Sequence, residues 1–471
     1  KKKIDTNVFR LNKLNDVLKD VSIKSIIDEG ASTLSVRMKK FNHSSNIFNS
    51  CNAIISKIDD GLYAYMTDGL IITPIDKSVG SDVLGETLEP YKKTWTRSFK
   101  WKPPEFNTVD FLVTTKKMDN GQDFVGTVFQ DGIDLSSGVS HINYKVLILR
   151  VGYDPVKHGL INPFEDVINN KTPKKAKREN RYVPRPFQPP GDDNAYLCYC
   201  TVTENAAGEY YMRTEDGEDT FEDGMIVEFR YDRSKGEYLK WIPIRVRYDK
   251  TSEYRKGIKN YGNAYHVALS VWRSIHNPVT KEMITTGTGI PEQLTDTDVY
   301  YNSSKETHTK ALRDFHNKCV KKGLIEMVTK EGDTLIDVAV GKAGDLHKWM
   351  NVKCSFVFGM DMSRDNIENR KDGACARYLY SKMKTEIFDA LFIQGDSAKN
   401  IRSGEACFTE KGKNITRAIF GEGMKSEDKI GKMAFNHYGV GINGFNVVSC
   451  QFALHYFFKS EDILGSFLKN I

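Results

Sequence analysis

The 471-residue chain has no Cys-x-x-Cys pair and no His-x-x-x-His pair, and of its eight cysteines only Cys198 and Cys200 lie close together. That argues against a structural zinc and for reduced thiols in a cytosolic or nuclear type of compartment. No run approaches the ~20 apolar residues that a bilayer crossing needs. The most apolar stretch, 445–458, is broken by Asn446, Ser449, Gln451 and His455, and no apolar signal follows Lys1-Lys2-Lys3. Neither sign of charge dominates: 68 Lys and Arg against 62 Asp and Glu leave +6, which permits an anionic partner without demanding one. What is present is enough apolar material for several cores, 39% hydrophobic with 11% aromatic. At about 100–200 residues per domain, roughly three domains are expected. The chain starts without Met and stops at Ile471 after an apolar segment, as a piece of a longer protein would.

Charged and apolar residues mix at helical spacing over 7–47, and strand-like runs follow at 53–55, 62–66 and 70–73. Alternating, β-type patterns then dominate: 108–114, 124–129, 145–151, 196–202, 210–213, 225–231 and 242–246. Between them the basic run 170–181 leads into Pro184, Pro186, Pro189 and Pro190, which predicts a long surface loop near 165–190. A small, polar segment at 285–298 reads as a linker. Beyond it a helical pattern at 307–325 precedes short apolar runs at 334–340, 355–360, 390–394 and 445–450, separated by helix-capable stretches. Strands spaced by helices predict a parallel, doubly wound sheet.

In that last region a buried strand ends in Gly341-Lys342-Ala343-Gly344, where glycines let backbone approach a ligand. Asp361, twenty residues after Gly341, ends the next strand and is placed to accept ribose hydroxyls; Asp396 follows the third strand, where an adenine amino group would sit. The turn is too short for a pyrophosphate cradle and suits a nucleoside ligand without one, such as S-adenosylmethionine. Each piece alone has a plain alternative: a connection, a helix N-cap.

The run Asp337-Val338-Ala339-Val340-Gly341-Lys342-Ala343-Gly344-Asp345-Leu346-His347-Lys348-Trp349 resembles the first motif of mRNA cap guanine-N7 methyltransferases. Phe445-Asn446-Val447-Val448-Ser449-Cys450-Gln451-Phe452-Ala453-Leu454-His455-Tyr456 resembles their fourth-strand signature, and Leu312-Arg313-Asp314-Phe315-His316-Asn317 their leading helix. The resemblance implies that Gly341, Lys342, Gly344, Asp345, Asp361, Asp396 and Gln451 line the S-adenosylmethionine pocket while His455 and Tyr456 face the cap guanine. Ala339, Val340 and Ala343 stand where the family usually has Gly, Cys and Gly.

Upstream, Asp68-Gly69-Leu70-Ile71, Lys100-Trp101-Lys102-Pro103 and Arg245-Val246-Arg247-Tyr248-Asp249-Lys250 occur in that order. Lys100 and Lys102 alternate on a strand, as do Arg245 and Arg247, so each pair presents cations to one face. Singly these are solvated strand edges; together they resemble the fourth, fifth and sixth motifs of covalent nucleotidyltransferases of the mRNA guanylyltransferase branch. The resemblance implies guanylate or Mg (or Mn) binding at Asp68, α-phosphate contact by Lys100 and Lys102, and pyrophosphate orientation by Arg245, Arg247, Asp249 and Lys250. The family's nucleophilic lysine sits in Lys-x-Asp-Gly, which occurs nowhere in this chain.

The fold expected is therefore multidomain, α+β and α/β: the C-terminal part of a nucleotidyltransferase over 1–115, an OB-fold over 116–284, the 285–298 linker, and the front of a class I, Rossmann-like methyltransferase over 299–471. The order resembles the capping enzymes of large nucleocytoplasmic DNA viruses. Such an enzyme would act on an RNA 5′ end and GTP, take a small stimulatory subunit, need no membrane, and work in a cytoplasmic viral factory, a virion or the nucleus. A ligase-type nucleotidyltransferase fused to another RNA methyltransferase, or a non-catalytic RNA-binding capping subunit, are the alternatives.

Overall fold

The computed structural model of the chain describes residues 10–20, 38–42, 46–74, 97–129, 141–174, 181–190, 192, 194–290 and 309–471. Residues 1–9, 21–37, the basic 175–180 and the 291–298 part of the expected linker lie outside them. In chain order the first elements are α1 (Arg10–Asp20), α2 (Ile47–Asp59), β1 (Leu70–Ile72) and β2 (Phe99–Trp101). Next come β3 (Thr108–Thr115), β4 (Val125–Phe129), β5 (His141–Tyr153), α3 (Pro155–His158), α4 (Pro163–Ile168), β6 (Val183–Pro186) and β7 (Leu197–Glu204). They are followed by β8 (Tyr210–Arg213), β9 (Thr220–Phe221), β10 (Ile226–Tyr231), β11 (Trp241–Val246), α5 (Tyr248–Arg255), α6 (Tyr265–His276) and α7 (Lys281–Thr286). The C-terminal part holds α8 (Lys310–Phe315), a π-helical turn His316–Lys321, α9 (Lys322–Val328), β12 (Thr334–Asp337) and α10 (Leu346–Asn351). It continues with β13 (Phe356–Asp361), α11 (Arg364–Glu368), α12 (Ala374–Lys382), β14 (Asp389–Gln394), α13 (Glu410–Ile419), α14 (Glu427–Asn436), β15 (Val447–Ser449) and α15 (Glu461–Leu468).

Two compact units result: residues 1–106 with 277–291, and residues 107–276 with 292–471. In the first, β1 and β2 pair antiparallel, and Cys51, Ile55, Leu70, Trp101 and Ile284 form a small core. The Trp101 indole N–H donates to the Val279 carbonyl at 2.7 Å, and Lys281 pairs with Asp59, which tie the 277–290 return to this unit. Two of the expected strands are absent here. Residues 53–55 lie in α2, where Cys51 and Ile55 are buried one helical turn apart and the Asn46 side chain accepts from the Phe48 and Asn49 N–H groups. Residues 62–66 pair with nothing in a sheet, and Leu62, Tyr65 and Met66 are exposed.

In the second unit, nine strands among the described residues form one antiparallel sheet in the order β11-β10-β3-β5-β7-β8-β9, with β4 and β6 also on β5. Alternate residues of its central strands (Val109, Phe111 and Val113; Leu147, Leu149 and Val151; Val227 and Phe229) fill one core, closed by Tyr265, Ala268 and Trp272 of α6. The sheet curls on itself. The Tyr199 N–H donates to the Tyr238 carbonyl at 2.7 Å and the Cys198 thiol to the Trp241 carbonyl at 3.3 Å, which brings the β11 edge back to β7.

The described parts of the segment near 165–190 form more regular structure than their composition predicts. Pro163 opens α4, where a missing N–H costs nothing, and Val167 and Ile168 are buried. Pro184 and Pro186 sit on β6, which pairs only with β5, and edge strands tolerate proline. Phe187 is fully buried behind them.

The C-terminal part carries a separate four-stranded sheet, β14-β13-β12-β15, parallel throughout. Its strands are apolar on both faces, as parallel strands covered by helices are. Leu160, Val167 and Ile168 belong to the same core as Phe356, Phe358, Tyr378, Ile393 and Met433. Leu160 and helix α4 thus pack into the core of the parallel domain, while the β-rich sheet keeps a core of its own.

Candidate active site

The strand order third-second-first-fourth reverses between β12 and β15, so the crevice at the carboxyl ends of these strands is the place where ligands bind in open parallel sheets. Every expected donor-pocket residue falls at those ends, Asp361 as the last residue of β13 and the others on the loops that leave them. Asp361 closes β13 and ties three elements together. One of its carboxylate oxygens accepts the Gly341 N–H at 2.8 Å; the other accepts the Ser363 N–H at 2.9 Å and the Asn366 side-chain amide at 3.0 Å. Half-buried, it keeps acceptor capacity on the oxygen that faces Gly341. The Asn366 amide oxygen beside it is buried without a hydrogen-bond partner. An acceptor-rich corner of this kind fits a ribose diol, and the residues present fit an adenosyl ligand.

Lys342 is buried, its ammonium 3.1 Å from Asp365 and 3.0 Å from Asp372. Burial pushes it down, but the two carboxylates outweigh that and hold it above the ordinary lysine value. Asp345, also buried, is bracketed by Lys321 at 3.1 Å and Lys348 at 2.6 Å. Lys342 and Asp345 are thus matched in charge inside the protein. Asp396 accepts the Ala398 N–H at 3.0 Å, and Gln451 follows β15, partly exposed. Helix α10 begins at Leu346, so 341–345 is a turn of its own. Ala343 in it has φ 52° and is buried. A left-handed conformation costs a side-chain-bearing residue about 1–2 kcal/mol. Ala343→Gly is therefore expected to raise the unfolding free energy by about 1 kcal/mol, measured by urea titration.

Motif reading overlooked two groups. Ser397, buried at the end of the third strand's loop, donates to the Val338 carbonyl at 2.7 Å. Asp337 is buried at the end of β12, accepting the Ser449 hydroxyl at 3.0 Å and the Ala339 N–H at 3.1 Å. Burial pushes its carboxyl up to about 7 from 3.8. A carboxyl raised on folding contributes fully below its unfolded value and loses that contribution as pH rises through its folded value. The roughly thousandfold rise in proton affinity is worth on the order of 4 kcal/mol. The contribution of this group is expected to be lost between about pH 4 and pH 7, so the stability of the wild type relative to Asp337→Asn should fall across that window, as chemical denaturation of both at each pH would read.

His455 and Tyr456 are exposed just beyond β15, their rings 4.0 Å apart. Phe452, held at φ 59°, lies 4.7 Å from the His316 ring and has the Lys321 ammonium 5.6 Å above it. The π-helical turn thus reaches the loop that follows β15.

In the first unit, Lys102 and Asp68 pair at 2.8 Å, and the hydrogen bond from Lys102 holds the Asp68 carboxyl below its usual value. Lys100 adds to the same field. Gly69 between them has φ 137°, and a Cβ there would meet the Trp101 carbonyl at 2.0 Å. Among the described residues no three His, Cys, Asp or Glu side chains gather to hold a metal. The 245–250 motif lies in the second unit. Glu228 stands in register with Asp110 on one side and Arg245 on the other, and Arg245 pairs with it. Arg247, past the end of β11, reaches the buried Asp110 at 2.7 Å and Asp249 at 3.2 Å, and Lys250 also bonds Asp110.

A parallel sheet in this order, with a glycine turn after its first strand and an acid ending its second, has the arrangement of Rossmann-like, nucleoside-binding folds. Residues 292–471 match the family described as the mRNA (guanine-N(7))-methyltransferase domain. The chain as a whole is a homologue of viral mRNA-capping enzymes. It is 28% identical over 432 residues to a probable mRNA-capping enzyme of Acanthamoeba polyphaga mimivirus, covering 87% of this chain and 32% of that protein. It is 24% identical over 352 residues to an African swine fever virus mRNA-capping enzyme, covering 73% and 34%. The mRNA cap guanine-N(7) methyltransferase of Saccharomyces cerevisiae matches 167 residues at 27% identity, 34% of this chain and 28% of that one. The chain spans about a third of the length of its viral relatives. A domain of this family implies S-adenosylmethionine as methyl donor.

Proposed function

We propose that this chain is the part of a viral mRNA-capping enzyme that methylates the cap guanine N7 and supplies the later motifs of the GMP-transfer machinery. The observation that carries the reading is the Asp361–Gly341 bond at the strand-order reversal, inside the segment that matches the cap methyltransferase family model. When bound, S-adenosylmethionine supplies a methyl group on a sulfonium. The guanine N7 lone pair can take it directly, so the protein needs neither a nucleophile nor a general base and works by alignment. Asp361 holds the ribose, Asp396 the base, Gln451 and the 341–345 turn border the donor, and His455 and Tyr456 hold the guanine. Lys342 and Asp345 act by keeping the turn in place.

For the other half, the β-rich domain supports an OB-fold. Numbered along the chain, β3, β5, β7, β10 and β11 run 1-2-3-5-4 around a curl that returns to the first, the order of a five-stranded Greek-key barrel. In the first unit Asp68, Lys100 and Lys102 would serve guanylate and Mg or Mn binding, and in the second Arg245, Arg247, Asp249 and Lys250 are the phosphate-orienting motif. Lacking Lys-x-Asp-Gly, this chain is expected to give no labelled covalent band after incubation with GTP and magnesium; a wash-resistant band on a denaturing gel would contradict that.

The methyl-transfer reading is tested with labelled methyl donor on capped and uncapped RNA. Tyr456→Ala should leave donor binding within about twofold and cut turnover on capped RNA by about 10–100-fold, an aromatic–base contact being worth roughly 1–3 kcal/mol. Equal activity on both RNAs, or donor binding lost with Tyr456, would overturn the guanine assignment.

A further inference from the structure

The turn 369–372 leads from α11 to α12, and its two ends face different ways. Toward the donor site, Asp365 and Asp372 bracket the Lys342 ammonium, and Asn366 holds Asp361. Toward the β-rich domain, Arg370 is gripped from several directions. Its guanidinium donates to the Gln188 carbonyl at 2.6 Å and lies 4.7 Å from the centre of the Tyr265 ring. Its own carbonyl accepts the Leu160 N–H at 2.7 Å. Gly159, at φ 88°, lets the two backbones approach so closely that a Cβ there would stand 2.2 Å from that carbonyl. Inside the turn, the Asn369 side chain accepts the Lys371 N–H at 2.9 Å and the Asp372 N–H at 3.3 Å, so the position of Arg370 sets that of Asp372. Helix α4 backs the same region: Lys411 bonds Glu165, Lys382 bonds Asn170, and a Cβ on Gly431 would meet Ile168 at 1.9 Å.

We propose that the β-rich domain is a positioning element of the methyl-donor site, acting through Arg370 on the turn that carries Asp372 and so on Lys342 and the Gly341 turn. This rests on the donor-site reading above. Residues 292–471 alone would leave Arg370 without its carbonyl and ring partners, and the core of the parallel domain without Leu160, Val167 and Ile168. A grip spread over a backbone carbonyl, a backbone N–H and an aromatic face fixes position better than a lone ion pair, because a guanidinium is planar and its donors are directional.

The test uses the 471-residue chain, with S-adenosylhomocysteine as probe for calorimetric affinity and labelled S-adenosylmethionine for steady-state methylation of capped RNA. Tyr265→Leu, which lies outside the methyltransferase family segment, and Arg370→Ala are each expected to weaken probe binding about tenfold, with kcat at saturating donor held within about twofold. The double variant should be no weaker than the worse single one, since both break one contact chain. Arg370→Lys keeps the charge but loses the forked reach to Gln188, and should fall between wild type and Arg370→Ala. Probe affinity unchanged in folded Tyr265→Leu and Arg370→Ala overturns the proposal, even where the melting temperature drops. If either does not fold, unchanged affinity in Arg370→Lys overturns it. Asp361→Ala separates the two readings: if it too leaves probe affinity intact, the donor site is misplaced, whereas lost binding there with intact binding in Tyr265→Leu sinks the positioning role alone.

Discussion

Asp361→Ala should weaken S-adenosylmethionine binding by about 10²–10⁴-fold, equally with capped RNA, uncapped RNA or none. Two hydrogen bonds from a ribose diol to a charged acceptor are together worth roughly 3–6 kcal/mol. The same carboxylate also accepts the Gly341 N–H, the Ser363 N–H and the Asn366 amide, so its removal loosens the turn as well as the ligand. Asp361→Asn separates these effects: one amide oxygen can still take the Gly341 N–H, but a charged diol acceptor is gone. Calorimetry with both variants is the measurement. Affinity for the donor within threefold of wild type in Asp361→Ala would make this side chain a strut and nothing more.

The second large effect is expected at Asp110. This carboxylate is buried and receives both Arg247 and Lys250. Breaking a buried ion pair by deleting one partner costs about 3–5 kcal/mol, because the remaining charge is left desolvated. Asp110→Ala should accordingly destabilise the β-rich domain by about that much, seen as an earlier urea transition in the fluorescence of Trp241 and Trp272. Both indoles are buried in that core. Arg245→Ala, whose partner is Glu228 and whose side chain is mostly exposed, should shift the transition by less than about 1 kcal/mol. A shift at Asp110 no larger than that at Arg245 would mean that the three-residue cluster is solvated rather than structural.

The strands of the β-rich domain were readable because a curled antiparallel sheet with one face inward writes a period of two. The residues 210–213 and 225–231 stand almost where that period puts them, as β8 and β10. The parallel sheet was readable for the opposite reason, its strands being short continuous apolar runs between helices. Failure came where a short window hid a longer period. Ala53, Ile54 and Ile55 look like a strand in isolation, yet Ile54 and Ile55 belong with Ile47, Cys51 and Ile58 to the apolar stripe of a 13-residue helix. On either side of 175–180, helix α4 and strand β6 stand where a surface loop was expected, because composition was read without the anchors Val167, Ile168 and Phe187. At the candidate site, the motifs named Lys342, Asp345 and Asp361. Lys348, inside the same motif, pairs with Asp345, but nothing in the motifs pointed to Lys321, Asp365 and Asp372, since an ion pair between distant residues leaves no periodic trace. Arg370 belongs to no motif and no apolar pattern, and only the arrival of Gln188, Tyr265 and Leu160 around it gives it a role.

The core that takes in helix α4 also sets a timetable for synthesis. Glu165 and Lys411 are 246 positions apart, and the helix that carries Glu165 leaves the ribosome long before the helices that cover it. At about 5–20 residues per second, its apolar face waits roughly 12–50 s for its cover. During that interval Val167 and Ile168 form a patch without its own shelter, and the nascent chain depends on chaperones or on low local concentration to avoid association. Slower translation between the β-rich and parallel domains would lengthen that interval and so aggravate aggregation in this chain instead of relieving it.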